Sequence, residues 1–191
     1  MHFVNIAIGV TMAAMAQAFT MPEGTTNGVY VVHIDPNGKE VHTKIYDSTD
    51  IQSSQPDHAT TVGESGDLER RYHGEIWCGC GFNMNPGNCD RAVEMLVAQM
   101  GPSFVDPNKS YYSSWGDVVA FACNRNPNES WLLVGSTYRD EIAAITGACG
   151  RYIAGAKQWG DDGKALIQGY ARWAPGDNFC GGSTSSPANH C

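Results

Sequence analysis

Nothing in this chain after its first twenty positions reaches about 18 consecutive apolar residues, so no segment reads as a stable membrane span. Basic residues are scarce: 12 Lys and Arg stand against 20 Asp and Glu, for a formal net charge of −8. The only basic cluster is Arg70-Arg71. Nucleic acid therefore has no electrostatic footprint to bind, and anionic membrane surfaces have none either. Histidine is equally sparse, and His73 and His190 are the only two after Arg71. No cysteine precedes Cys78. The 42% hydrophobic and 10% aromatic content suits one modest core rather than two.

What is present begins with the address. Ile6 to Ala16 is a short apolar stretch, and Ala16-Gln17-Ala18 is a small-x-small cleavage site, so residues 1–18 read as a secretory signal peptide and the protein as extracellular. An exported chain makes its cysteines disulfides by default. The seven are Cys78, Cys80, Cys89, Cys123, Cys149, Cys180 and Cys191, which predicts three bridges and one unpaired thiol, or a covalent dimer through the odd one. Spacing leaves the connectivity open. Cys78-Gly79-Cys80 lacks the second paired-ligand cluster a zinc site wants, so it reads as two structural bridges leaving one strand, and neither metal nor cofactor is expected. The sequons Asn108-Lys109-Ser110 and Asn128-Glu129-Ser130 make Asn108 and Asn128 candidate glycosylation sites.

Two β-prone runs between Gly28 and Ile45 flank Pro36-Asn37-Gly38 and predict a hairpin. Residues 47–68 are polar and read as a solvated linker. The dibasic pair Arg70-Arg71 follows, at the border between cysteine-free and cysteine-bearing sequence, as secretory processing proteases require. Residues 19–71 are thus expected to be a propeptide, and 72–191 the mature domain. That domain opens with a strand over 75–80. A helix over 89–100 follows, with Cys89, Ala92, Val93, Leu96, Val97 and Met100 on one face, Asn88 as cap and Gly101-Pro102 as stop. Asp117 to Cys123 is apolar on both faces and predicts a central strand. A strand at Trp131 to Val134, a helix from Thr137 and a strand at Ala165 to Trp173 complete the order β-α-β-β-α-β. This is an α+β fold, a disulfide-stapled split β-α-β sandwich with an antiparallel sheet and two helices on one face.

A secreted precursor, a dibasic site and a cysteine-rich domain of this element order resemble the killer-toxin-like α/β effectors of fungi. Val134-Gly135-Ser136-Thr137-Tyr138-Arg139-Asp140-Glu141-Ile142 is similar to the strand-Gly-x-x-Asp-Ile-helix pattern of the necrosis-inducing secreted family. The resemblance implies an extracellular effector or toxin acting on a host or a competing microbe, without known catalysis.

The residues add little for catalysis. A nucleophile needs a histidine base, and only His73 and His190 are at hand. His73, Glu75 and His190 are the material for a ribonuclease-like acid/base pair, and Glu75 with Asp117 for a glycosidase pair. The expected role is binding without turnover. The alternatives are a small secreted hydrolase or nuclease, and a carbohydrate-binding cell-wall protein. All five tryptophans lie in the second region. Trp77 and Trp131 fall on strands and read as packing, while Trp115 and Trp159, flanked by Ser, Gly and Asp, are the candidate contacts to a target protein or cell-surface glycan.

Overall fold

The computed structural model describes residues 19–49, 74–101, 103–161 and 164–191. The expected signal peptide, residues 50–68 of the expected linker, Arg70, Arg71 and His73 lie outside the described residues, while Asp47 at the linker's start belongs to a strand. Nine strands and three helices are assigned: β1 Gly28–Ile34, β2 Glu40–Asp47, β3 Glu75–Asn83, α1 Pro86–Gln99, β4 Ser103–Val105, β5 Lys109–Trp115, β6 Val118–Asn124, β7 Trp131–Leu133, α2 Gly135–Cys149, β8 Ile153–Trp159, β9 Leu166–Arg172 and α3 Phe179–Gly182. Seven strands form one sheet in the order β2-β1-β5-β6-β9-β8-β3, and every neighbouring pair is antiparallel. β4 and β7 pair separately. On one face α1 lies over β5 and β6, and α2 over β3, β8 and β9. The fold is the expected disulfide-stapled α+β arrangement with two helices on one face of an antiparallel sheet. It carries three strands the sequence reading left as loop, namely β4, β5 and β8.

The helix face holds Val29, Val118, Ala120, Ala122, Leu96, Ile145 and Tyr138, and the opposite face holds Phe19, Met21, Tyr30, Val32, Tyr112, Val119, Phe121, Ile167 and Phe179. β6 is buried along its whole length, because it is the middle strand with layers on both faces. The predicted hairpin is present, and its turn is closed by the Asp35 carboxylate, which accepts the N–H groups of Asn37 at 2.9 Å and Lys39 at 2.8 Å. β1 does more than pair with β2. It also pairs with β5 from Gly28↔Ser114 to His33↔Lys109. Residues 19–49, expected to precede the domain, therefore supply two sheet strands and buried side chains.

Both helices start earlier than expected. α1 is capped by Asn85 rather than Asn88: the Asn85 side chain accepts the Asn88 N–H at 3.1 Å, and Pro86 occupies the first turn where its missing N–H costs nothing. α2 begins at Gly135, not Thr137, and has no side-chain cap. Its first N–H donates instead to the Met100 carbonyl at the end of α1, at 3.1 Å. Glycine is required there, since a Cβ at position 135 would stand 2.7 Å from the Val97 carbonyl oxygen.

Three bridges form: Cys78–Cys149, Cys80–Cys191 and Cys123–Cys180. The seventh cysteine, Cys89, is free and buried. The two cysteines of the Cys-Gly-Cys pair leave β3 for different partners, as their single-residue spacing implies. Cys78 faces α2 and Cys80 the segment of residues 183–191. That segment runs along β3, where the Cys78 N–H donates to the Ala188 carbonyl at 2.7 Å and the Ser186 hydroxyl donates to the Cys78 carbonyl at 2.6 Å.

Candidate functional site

The structure separates most of the residues singled out from sequence. Trp115 pairs with Val118, which pairs with Arg172, at one end of the sheet. Trp159 pairs with Leu166, which pairs with Asn124, at the other. The two tryptophans do not form one platform. Each is half-buried and carries a cation on its ring, Arg91 at 5.8 Å on Trp115 and Lys157 at 4.3 Å on Trp159. Trp115 is in strand β5 rather than a loop. Trp77 and Trp131 are half-buried on β3 and β7.

Among the described residues the candidate acid/base groups are dispersed in the same way. Glu75 is opposite Gln158, near the Trp159 end, whereas Asp117 follows Trp115 and accepts the Asn88 amide at 2.9 Å. His190 is exposed beside the Cys80–Cys191 bridge. Among the described residues no group of three His, Cys, Asp or Glu is placed to hold a metal ion. Of the sequon asparagines, Asn128 is exposed in a turn, while Asn108 is half-buried at φ +56 beside β5.

The glycine of Val134-Gly135 is the one that lets α2 abut α1. Further along α2, Glu141 is buried and meets the Lys157 ammonium at 2.7 Å. This stretch holds two helices and a sheet together.

Two concavities stand out among the described residues. The smaller, about 180 Å³, lies between α1 and α2 and is lined by Cys89, Asp90, Val93, Ile142, Arg151 and Tyr152, among others. Burial pushes the Cys89 thiol up to about 12, with the Asp90 charge adding to it, so the thiol is neutral and unreactive. The larger, about 380 Å³, opens on the face opposite α1 and α2, between the β3-β8-β9 end of the sheet and α3. Its floor is Gly79, Ala154, Gly155 and Ala171, and its walls include Phe82 and Arg172 on one side and Asn178, Ser183, Ser185 and Ser186 on the other. Phe82 is 58% exposed. The register of β3 against β8 shifts between Cys78 and Asn83, and this irregularity turns Phe82 out of the sheet. The Arg172 guanidinium lies 5.8 Å from the centre of the Phe82 ring. Sequence reasoning missed both residues: its strand ended at position 80, short of Phe82, and no pattern announces a bulge.

Among the described residues no helix is long and apolar enough to cross a membrane. Compared with protein-family models, curated proteins and solved structures, the chain matches none of them.

Proposed function

We propose that the protein works outside the cell as a secreted effector or toxin-like protein that binds a target on a host or a competing microbe and does not turn over a substrate. The observation that carries this reading is where the bridges lie. Cys123–Cys180 and Cys80–Cys191 fix α3 and residues 183–191 to the sheet, so a segment with almost no ladder of its own becomes a rigid wall of the larger groove. Each bridge adds about 2–4 kcal/mol by restricting the unfolded chain, which suits a small domain exposed to an extracellular medium. Among the described residues, Glu75, Asp117 and His190 do not come together in one acid/base site, which supports binding over catalysis.

Export with removal of residues 1–18, and cleavage after Arg71, belong to the same proposal. Because β1 is paired to β5 and no cysteine lies in residues 19–71, cleavage yields a two-chain protein held without a covalent link. Intact mass and native mass of the secreted product test this. Two fragments that co-migrate under native conditions and separate on denaturation are expected, and a single chain starting near Phe19 removes the processing step. The effector role is tested by infiltrating purified protein into plant tissue and adding it to competing microbes at low concentration. A response in one of them is expected, and silence in both overturns the reading.

A further inference from the structure

The geometry points to the groove between β3-β8-β9 and α3 as a binding site for a neutral pyranose ring of a cell-surface glycan, seated against Phe82. This rests on the extracellular binding role proposed above and gives it a ligand class.

Four features converge on that chemistry. The volume of about 380 Å³ holds one or two sugar rings. The floor is made of Gly79, Ala154, Gly155 and Ala171, flat and apolar enough for the C–H face of a ring to lie on it. A Cβ at position 79 would stand 3.2 Å from the Ala154 Cβ and 3.5 Å from Phe82, so any larger side chain there fills the groove. Phe82 presents an aromatic face that is more than half exposed, and unlike the comparably exposed Phe104 on β4 it borders this groove.

The polar groups complete the match, because a sugar hydroxyl both donates and accepts. Arg172 has no ion-pair partner among the described residues and keeps its N–H donors free over Phe82. Asn178 uses its carbonyl oxygen to cap the Gly181 N–H at 2.7 Å, which leaves its amide N–H₂ as a donor. Ser183 and Ser185 donate their hydroxyl protons to the carbonyls of Cys180 at 2.9 Å and Gly182 at 2.6 Å. Their oxygens keep acceptor capacity. Asp177 adds a carboxylate, one oxygen of which accepts the Ala174 N–H at 2.7 Å. Donors and acceptors in near balance, with the Arg172 cation offset by Asp177, suit a neutral polyol and not an acidic ligand.

The test is amide chemical-shift mapping of the full chain against chitohexaose, cellohexaose, laminarihexaose and an oligogalacturonate at up to about 10 mM, the range weak protein–glycan contacts occupy. At least one neutral oligosaccharide is expected to shift Gly79, Gly155, Arg172 and Asn178 together. Phe82→Ala should weaken it about tenfold and Phe82→Tyr should restore it. Both changes fall on an exposed side chain, so the fold is kept. Shifts confined to the Trp115 or Trp159 ends, binding of the oligogalacturonate alone, or no shift with any sugar would each overturn the assignment. The tissue response is measured separately on Phe82→Ala. A response from wild type without glycan binding sinks the groove and spares the effector role, and glycan binding without a response does the reverse.

Discussion

The arm of residues 19–49 and the cysteine-bearing remainder solve the same problem by different means. The arm is joined to the sheet by the β1–β5 ladder, by the buried side chains of Phe19, Met21, Val29 and Val32, and by Tyr30 stacked on Tyr112 at 4.8 Å and 6°. It contains no cysteine. The remainder places its bridges where ladders are absent or end. Cys123–Cys180 ties down a four-residue helix, Cys80–Cys191 ties down an irregular segment, and Cys78–Cys149 joins β3 to the last turn of α2. Loop length does not rank the three bridges: sequence separations of 57, 71 and 111 residues enter only as a logarithm, so the chain-entropy account gives the three nearly equal contributions. The difference between the two regions is therefore local. Regular pairing makes covalent ties unnecessary, and irregular chain laid on the sheet or along its edge requires them.

The largest expected effect comes from the residue both regions share. Tyr112 is fully buried on β5, stacked on Tyr30 of the arm and 5.1 Å from Phe179 of α3. Its hydroxyl meets His42 Nδ1 at 3.2 Å. Tyr112→Ala should cost about 3–5 kcal/mol in urea unfolding. Hydrogen exchange then distinguishes the two attachments. β1 amides should lose protection, while Phe179 and Cys180 stay protected because their bridge remains. Equal release of both regions would mean that the bridge does not substitute for packing.

A smaller loss is expected at the opposite margin of the sheet. Cys80 and Cys191 are both exposed, and their bridge holds the segment whose Ala188 carbonyl accepts the Cys78 N–H. The double change Cys80→Ser with Cys191→Ser should cost about 2–4 kcal/mol and should speed exchange at the Cys78 amide. An unchanged Cys78 amide would show that residues 183–191 dock by their own contacts, which would remove the contrast with the arm.

The same contrast explains how far the sequence could be read. The hairpin, β6 and the stripe on α1 were legible because their signals are strong and local. Of the stripe, Cys89, Ala92, Leu96 and Met100 are buried as expected, with Met95 joining them and Val93 and Val97 half-buried. β5 and β8 were not legible, because helices approach them too closely for β-branched side chains. Ser113 sits under α1 with its hydroxyl on the Ala92 carbonyl, and a Cβ at Gly155 would stand 2.6 Å from Ile145 of α2. The helix-side positions Ser113 and Gly155 carry little β-propensity, and only the tertiary contact explains them. Phe82 was hidden for a similar reason, since a bulge is a property of the pair of strands and not of either one. The number of bridges followed from counting cysteines, whereas their partners required the fold.

The gentlest probe is alkali, and the groups through which burial makes stability depend on it here all lie in the cysteine-bearing region. Burial holds the Cys89 thiol and the hydroxyls of Tyr112, Tyr138 and Tyr170 above their ordinary values. The folded state keeps these protons while the unfolded state releases them, so stability is fully present below the unfolded values and falls as pH rises through them. The first step should begin near 9.0, where an unfolded thiol ionises, and continue toward about 12. The tyrosines should add their share from 10.0 upward. Cys89→Ala removes the first step alone, at a cost of about 1 kcal/mol for the lost sulfur contact at neutral pH. Urea midpoints from pH 8 to 10.5 should then stay level for about one further pH unit before they decline. A variant whose midpoint still drops from pH 9 would mean that Cys89 is solvated in the folded protein, and that the α1–α2 interface is looser than the β1–β5 ladder of the cysteine-free arm.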